Sequence, residues 1–111
     1  MSKYRFTRTA RKELKDIKSY IAAQSIQAAF RFLDEVTQKC NILAQFPEMG
    51  RLWYDLVPPL RSFPVDRYLI FYRPVKGGIQ IMRVLSGYQD LTAIFPDLGE
   101  GKNALEDDED Y

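Results

Sequence analysis

Four side chains placed near strand ends could carry chemistry: Arg61, Arg67, Arg83 and Tyr88. Two of them fall in or beside the run RSFPVDRYLIFYRP (residues 61–74), where a third arginine, Arg73, closes a row of aromatic and aliphatic residues. Cations beside a phenol suit one reaction, cleavage of RNA by its own 2′-hydroxyl. That reaction needs a group to take a proton, one to protonate the leaving oxygen, and a cation facing the phosphorane. Arg61, Arg83 and Tyr88 are the catalytic set for it. The competing reading makes the arginines polar ends of core strands. Arg83 shares strand parity with Ile79, Ile81 and Leu85, which would project it from an apolar face into an ion pair.

Other chemistries are excluded by residue type. The chain has no histidine, which removes the commonest general base and the commonest neutral metal ligand together. Serine–histidine and cysteine–histidine catalysis fall with it. The single cysteine, Cys40, cannot form an internal disulfide or anchor a structural zinc site, so no metal is expected. The glycine pair in KGGIQ lacks the spacing of a P-loop or a dinucleotide fingerprint, and no cofactor is expected.

The elements that must position these residues follow from periodicity. KYRF (3–6) alternates as a short strand. Thr7 can cap a helix in which Ala10, Leu14, Ile17 and Ile21 form one apolar stripe, with Arg8, Arg11, Lys15 and Lys18 on a neighbouring face and Glu13 and Asp16 available for near-neighbour pairs. Ser25 caps a second helix whose stripe is Ile26, Ala29, Leu33, Val36, Cys40 and Leu43, so Cys40 reads as an inert packed thiol. The tight connection makes the two an αα-hairpin. FPEMGR (46–51) stops the second helix, and a loop runs to Pro59, with Trp53 and Tyr54 lying on the core. Three strands follow at 60–65, 67–73 and 79–85, the last two joined through PVKGG. The middle strand reads as central, because Tyr68, Ile70 and Tyr72 point one way and Leu69 and Phe71 the other. Pro64 places the first of the three at a sheet edge or makes it irregular there. A short helix from residue 86 or 87 would end before Pro96. The order β-α-α-β-β-β-α predicts an α+β fold, a helical hairpin on a small, mainly antiparallel sheet.

The chain has 111 residues, 46% of them hydrophobic, enough for one domain with its own core. Its formal net charge of +1 hides an asymmetry. The last twelve residues, EGKNALEDDEDY, hold six acidic side chains and one lysine, leaving 15 basic against 9 acidic residues before them. A basic domain over residues 1–98 and a disordered acidic tail over 99–111 are expected, the basic part facing an anionic partner. No apolar run approaches the roughly 20 residues needed to span a bilayer. With one cysteine and no secretory-type start, a soluble protein of the reducing cytoplasm is expected, with no membrane partner.

Four segments, FTRTARKELKDIKSYIA, LAQFPEMGR, LRSFPVDRYLIFYR and IQIMRVLSGYQDL, resemble in order and spacing the ParE branch of the RelE/ParE toxins of bacterial type II toxin–antitoxin modules, over roughly residues 4–95. The resemblance implies a RelE/ParE-like fold, a toxin that causes growth arrest, and neutralisation by a cognate antitoxin. RelE-like members cut messenger RNA on the ribosome, whereas ParE-like members poison DNA gyrase. In the nucleases a catalytic arginine lies three residues before the tyrosine matching Tyr72, which falls here on Leu69. Arg67 has Leu69's parity but sits about 6.8 Å further along. Their basic residues after the last strand fall on SGYQ (86–89), where Tyr88 alone keeps a possible role. These departures favour a gyrase-binding toxin without catalytic residues. The alternatives are the ribosome-dependent nuclease and a non-toxic binding partner of the same fold. The implied antitoxin surface is Arg8, Arg11, Leu14, Lys15, Ile17, Lys18, Ile21 and Phe30; the implied target surface is Arg61, Arg67, Arg83 and Tyr88. Nucleic acid is met only indirectly, through antitoxin or target.

Overall fold

The computed structural model describes residues 3–54 and 59–86. Strand β1 (Lys3–Phe6) leads into helices α1 (Arg8–Ala22) and α2 (Ile26–Gln45). A 3₁₀ turn (Pro47–Met49) follows, and then strands β2 (Arg51–Tyr54), β3 (Leu60–Val65), β4 (Tyr68–Val75) and β5 (Gly78–Ser86). The sheet order is β1-β5-β4-β3-β2, antiparallel except for the parallel pair β1–β5. The α+β expectation holds, and β4 is the central strand.

Both helices start where the sequence places a cap. Thr7 accepts a hydrogen bond from the Ala10 amide at 3.1 Å, and Ser25 accepts one from the Ala28 amide at 3.1 Å. Their apolar faces close on one side of the sheet, where Phe32, Val36, Cys40 and Leu43 of α2 meet Ile70, Tyr72, Ile79 and Ile81. Leu14, Ile17 and Ile21 of α1 pack half-buried against the same core. The opposite face carries a second cluster of Leu60, Phe71, Met82 and Leu85, with Trp53 and Leu69 against it.

Four expectations are corrected. The stretch read as a loop after Gly50 opens with β2, which pairs with β3 through Arg51–Ser62 and Leu52–Arg61. Four residues behind a turn are too few to show a period. Pro64 does not mark an edge strand, because β3 lies between β4 and β2. Its missing N–H is tolerated because β2 pairs with β3 only from Leu60 to Ser62, so Pro64 lies beyond the end of its neighbour. The predicted α2 stripe is buried at Ala29, Val36, Cys40 and Leu43 and packed on the core at Leu33, but its first member Ile26 is exposed, and Phe32, stacked edge-on to Tyr68 at 5.3 Å, joins the buried face. Finally, Leu85 does not share the face of Ile79 and Ile81. The register jumps from Phe71–Arg83 to Tyr72–Ile81, so β5 carries a bulge at Met82 that switches parity beyond it. The predicted last helix and the acidic tail lie outside the described residues.

Candidate functional site

The bulge and the shortness of β1 create a local problem. β1 pairs with β5 only as far as Ile81, so among the described residues no strand covers the β5 edge beyond it. Groups of Thr7 and α1 serve part of it. The Thr7 amide donates to the Ile81 carbonyl at 3.0 Å, and its buried hydroxyl donates to the Met82 carbonyl at 2.9 Å. Two turns later, Glu13 accepts from the Val84 amide at 2.9 Å through Oε1. Its Oε2 accepts from Arg83 Nε at 2.9 Å and Nη2 at 2.6 Å. With side chains 17% and 20% exposed, Arg83 and Glu13 form a partly desolvated pair whose carboxylate also terminates a strand edge.

Arg61 is bound into the fold as well. Its Nη1 donates to the carbonyls of Glu48 at 3.1 Å and Gly50 at 2.8 Å. Tyr72, opposite Arg61 on β4, completes the knot: its hydroxyl donates to the Pro47 carbonyl at 2.8 Å and accepts from the Gly50 amide at 2.9 Å. A Cβ on residue 50 would run into the Tyr72 hydroxyl and the Ser62 carbonyl, so glycine is required there by close approach. Burial pushes the Tyr72 hydroxyl above its ordinary range, opposed by the Gly50 amide and the Arg61 charge. This knot holds the turn whose Phe46 and Met49, with Leu52 beside them, stay exposed.

Arg67 stands exposed on the β3–β4 turn, next to Asp66 at φ 57°. It lines a cavity of about 310 Å³ with Tyr20, Arg31, Glu35 and Tyr68 at the helical end of the domain. Burial raises the Tyr68 hydroxyl, with Tyr20 and Asp66 adding to the rise and Arg67 opposing it. Tyr88 lies outside the described residues. Leu69, at the position of the nuclease arginine, packs half-buried on the second core cluster.

On α1, Arg8, Arg11, Lys12, Lys15 and Lys18 are all exposed, whereas Leu14, Ile17 and Ile21 give most of their surface to the core. Phe30 is 61% exposed and Tyr20 65% exposed. Cys40 is fully buried, and burial pushes its thiol up to about 12. Among the described residues no three His, Cys, Asp or Glu side chains are grouped to hold a metal, and no helix is long and apolar enough to cross a membrane.

The two arginines of the hydrolytic set are thus engaged on separate structural tasks, and the fold is two helices over a five-stranded mixed sheet. Residues 4–91 match the family model described as ParE toxin of type II toxin-antitoxin system, parDE. The chain belongs to the ParE toxin family. Toxin ParE3 of Caulobacter vibrioides is 32% identical to it over 68 residues, which cover 61% of this chain and 68% of that protein. Membership in a type II family brings with it an antitoxin as partner. Two residues of this ParE-family chain were missed in the sequence. Glu13 looked like a partner for lysines on its own helix, although its place on the flank of the apolar stripe, next to Leu14, was a signal that it could turn inward. Gly50 was read as a turn residue, and its contact with Tyr72 spans 22 positions that no local pattern links.

Proposed function

We propose that this ParE-family toxin inhibits DNA gyrase by protein contact, without catalytic residues of its own, and that a cognate antitoxin neutralises it. The observation that carries this reading is the engagement of Arg83 and Arg61. A catalytic arginine must reach a phosphorane, but Arg83 is held by both a carboxylate and the strand edge behind it, and Arg61 is turned onto two backbone carbonyls. Leu69 supplies no cation where the nuclease relatives carry one.

The surfaces left for binding are of two kinds. The exposed cations Arg8, Arg11, Lys15 and Lys18, with Phe30 and the accessible edges of Leu14, Ile17 and Ile21, suit an amphipathic and acidic antitoxin segment that orders on binding. Arg67, with Tyr88 beyond the described residues, belongs to the proposed target surface, to which Arg61 and Arg83 contribute only through the segments they brace. A supercoiling and cleavage-complex assay with purified gyrase tests the reading. Inhibition that disappears on adding antitoxin is the expected result. Unchanged gyrase activity over a wide toxin range would sink it, and codon-specific cuts in translated messages, lost in Arg83→Ala, would replace it with the nuclease.

A further inference from the structure

Two chain reversals meet at one end of the domain. Between α1 and α2 the amides of Gln24 and Ser25 both donate to the Ile21 carbonyl, at 3.0 and 2.9 Å, which closes the connection tightly. Between β3 and β4 only Asp66 and Arg67 intervene, because Val65 pairs with Tyr68, and Asp66 takes the positive φ that an aspartate tolerates. The edge-on contact of Phe32 with Tyr68 ties the helical reversal to the strand reversal. Together they enclose the cavity of about 310 Å³, which neither Arg61 nor Arg83 lines.

The wall of this cavity has two kinds of surface. Ile21, Ala28, Phe32 and Tyr68 make it apolar and partly aromatic on one side. Arg31 and Glu35, one turn apart on α2, add a cation and an anion, and Asp66 and Arg67 add the same two charges from the β3–β4 turn. Among the described residues no ion pair engages any of these four side chains. Burial holds the Tyr68 hydroxyl above its ordinary range, so at neutral pH it is a phenol able to donate a hydrogen bond.

Two positive and two negative groups around an aromatic surface match a ligand that carries both signs itself. A pure anion would meet Glu35 and Asp66, and a pure cation would meet Arg31 and Arg67. Size narrows the class further. The cavity has room for about ten waters at about 30 Å³ each, hence for a ligand of about a dozen non-hydrogen atoms. We propose that the cleft binds a free aromatic amino acid as its zwitterion, the ring lying on Phe32 and Tyr68, the carboxylate meeting Arg31 and Arg67, and the ammonium meeting Glu35 and Asp66. The site is built from this chain alone and does not depend on the gyrase or antitoxin reading. A ligand of this size with ordinary efficiency per atom binds with a Kd of about 1 mM.

The test titrates L-phenylalanine into the isotope-labelled full-length chain and follows the amide resonances. Saturable shifts confined to residues 20–35 and 66–68 are expected. Removing either charge from the probe should weaken binding about tenfold: L-phenylalaninamide lacks the carboxylate, and N-acetyl-L-phenylalanine lacks the ammonium. Glycine, which keeps both charges without the ring, should not saturate the site at about 20 mM. Arg67→Gln should weaken L-phenylalanine about tenfold and leave L-phenylalaninamide unchanged, whereas Glu35→Gln should weaken L-phenylalanine and leave N-acetyl-L-phenylalanine unchanged. Unmoved resonances in the rest of the domain verify that both variants fold. No saturable shift with L-phenylalanine up to about 20 mM, or shifts spread over the whole domain, would overturn the proposal. Equal binding of the uncharged N-acetyl-L-phenylalaninamide would overturn it too, and would make the cleft an anchor for an aromatic side chain of a protein partner. Neither gyrase nor antitoxin is present in these titrations, so failure here is distinguishable from failure of the proposed function.

Discussion

Arg83 and Lys15 belong to two surfaces of the same helix–sheet unit and have opposite fates. Arg83 lies where β5 outruns β1, so its guanidinium meets a carboxylate already recruited to satisfy the Val84 amide. Lys15, on the far side of the α1 cylinder from Glu13, faces solvent. The difference teaches that a cation's role here is set by whether the backbone beside it still needs partners. Where a sheet edge or tight turn leaves carbonyls and amides open, as at Val84 and Gly50, side chains are drawn in and fixed. Where a helix has closed its own hydrogen bonds, a cation such as Lys15 stays on the exposed surface.

The comparison can be broken from the inner side first. Glu13→Ala should cost about 3 kcal/mol, because it removes the carboxylate from a largely desolvated guanidinium and from an edge amide at once. Urea unfolding measures it, and a loss below about 1 kcal/mol would mean that solvent already serves both groups. Combining Glu13→Ala with Arg83→Leu should recover part of the loss. Tyr72→Phe comes next: it deprives the Gly50 amide and the Pro47 carbonyl of their partner and should cost about 2 kcal/mol, with faster amide exchange at Gly50.

Alkaline pH probes the core itself. The Cys40 thiol rises from 9.0 to about 12 on folding. Between those values the native state keeps a proton that the unfolded chain releases, so stability is complete below about pH 9 and falls as pH rises, by up to about 1.4 kcal/mol per pH unit. The raised Tyr72 hydroxyl acts in the same direction. Cys40→Ala should flatten the part of the slope due to the thiol, and an unchanged slope would assign it elsewhere. The smallest effect belongs to the outer surface: Lys15→Ala should change stability by less than about 0.5 kcal/mol. A larger loss would show that the basic face of α1 is part of the fold, erasing the contrast with Arg83.

Much of the fold was legible. The helix caps at Thr7 and Ser25, the double-faced middle strand and the αα-hairpin rest on local chemistry and short periods, and the structure keeps them. β2 was missed because four residues after a turn form a strand only by pairing with β3. Pro64 misled because it reports on a missing hydrogen-bond partner, and whether one is needed depends on how far the neighbouring strand extends. The site was less legible than the fold. The ion-pair reading of Arg83 was correct in kind, yet its partner lies 70 positions away, and the parity used to argue it was altered by the bulge at Met82.

By itself, the sequence determined the residue types and thus the possible chemistries. It has no histidine, one cysteine, a basic helix face and an acidic end, and its register of four segments places it with the ParE toxins. Only the tertiary structure decided which arginines are spent. That depends on where β1 stops, where β5 bulges and how closely Gly50 approaches Tyr72. These are long-range matters of unpaired backbone groups finding partners, to which a local pattern of side chains is blind.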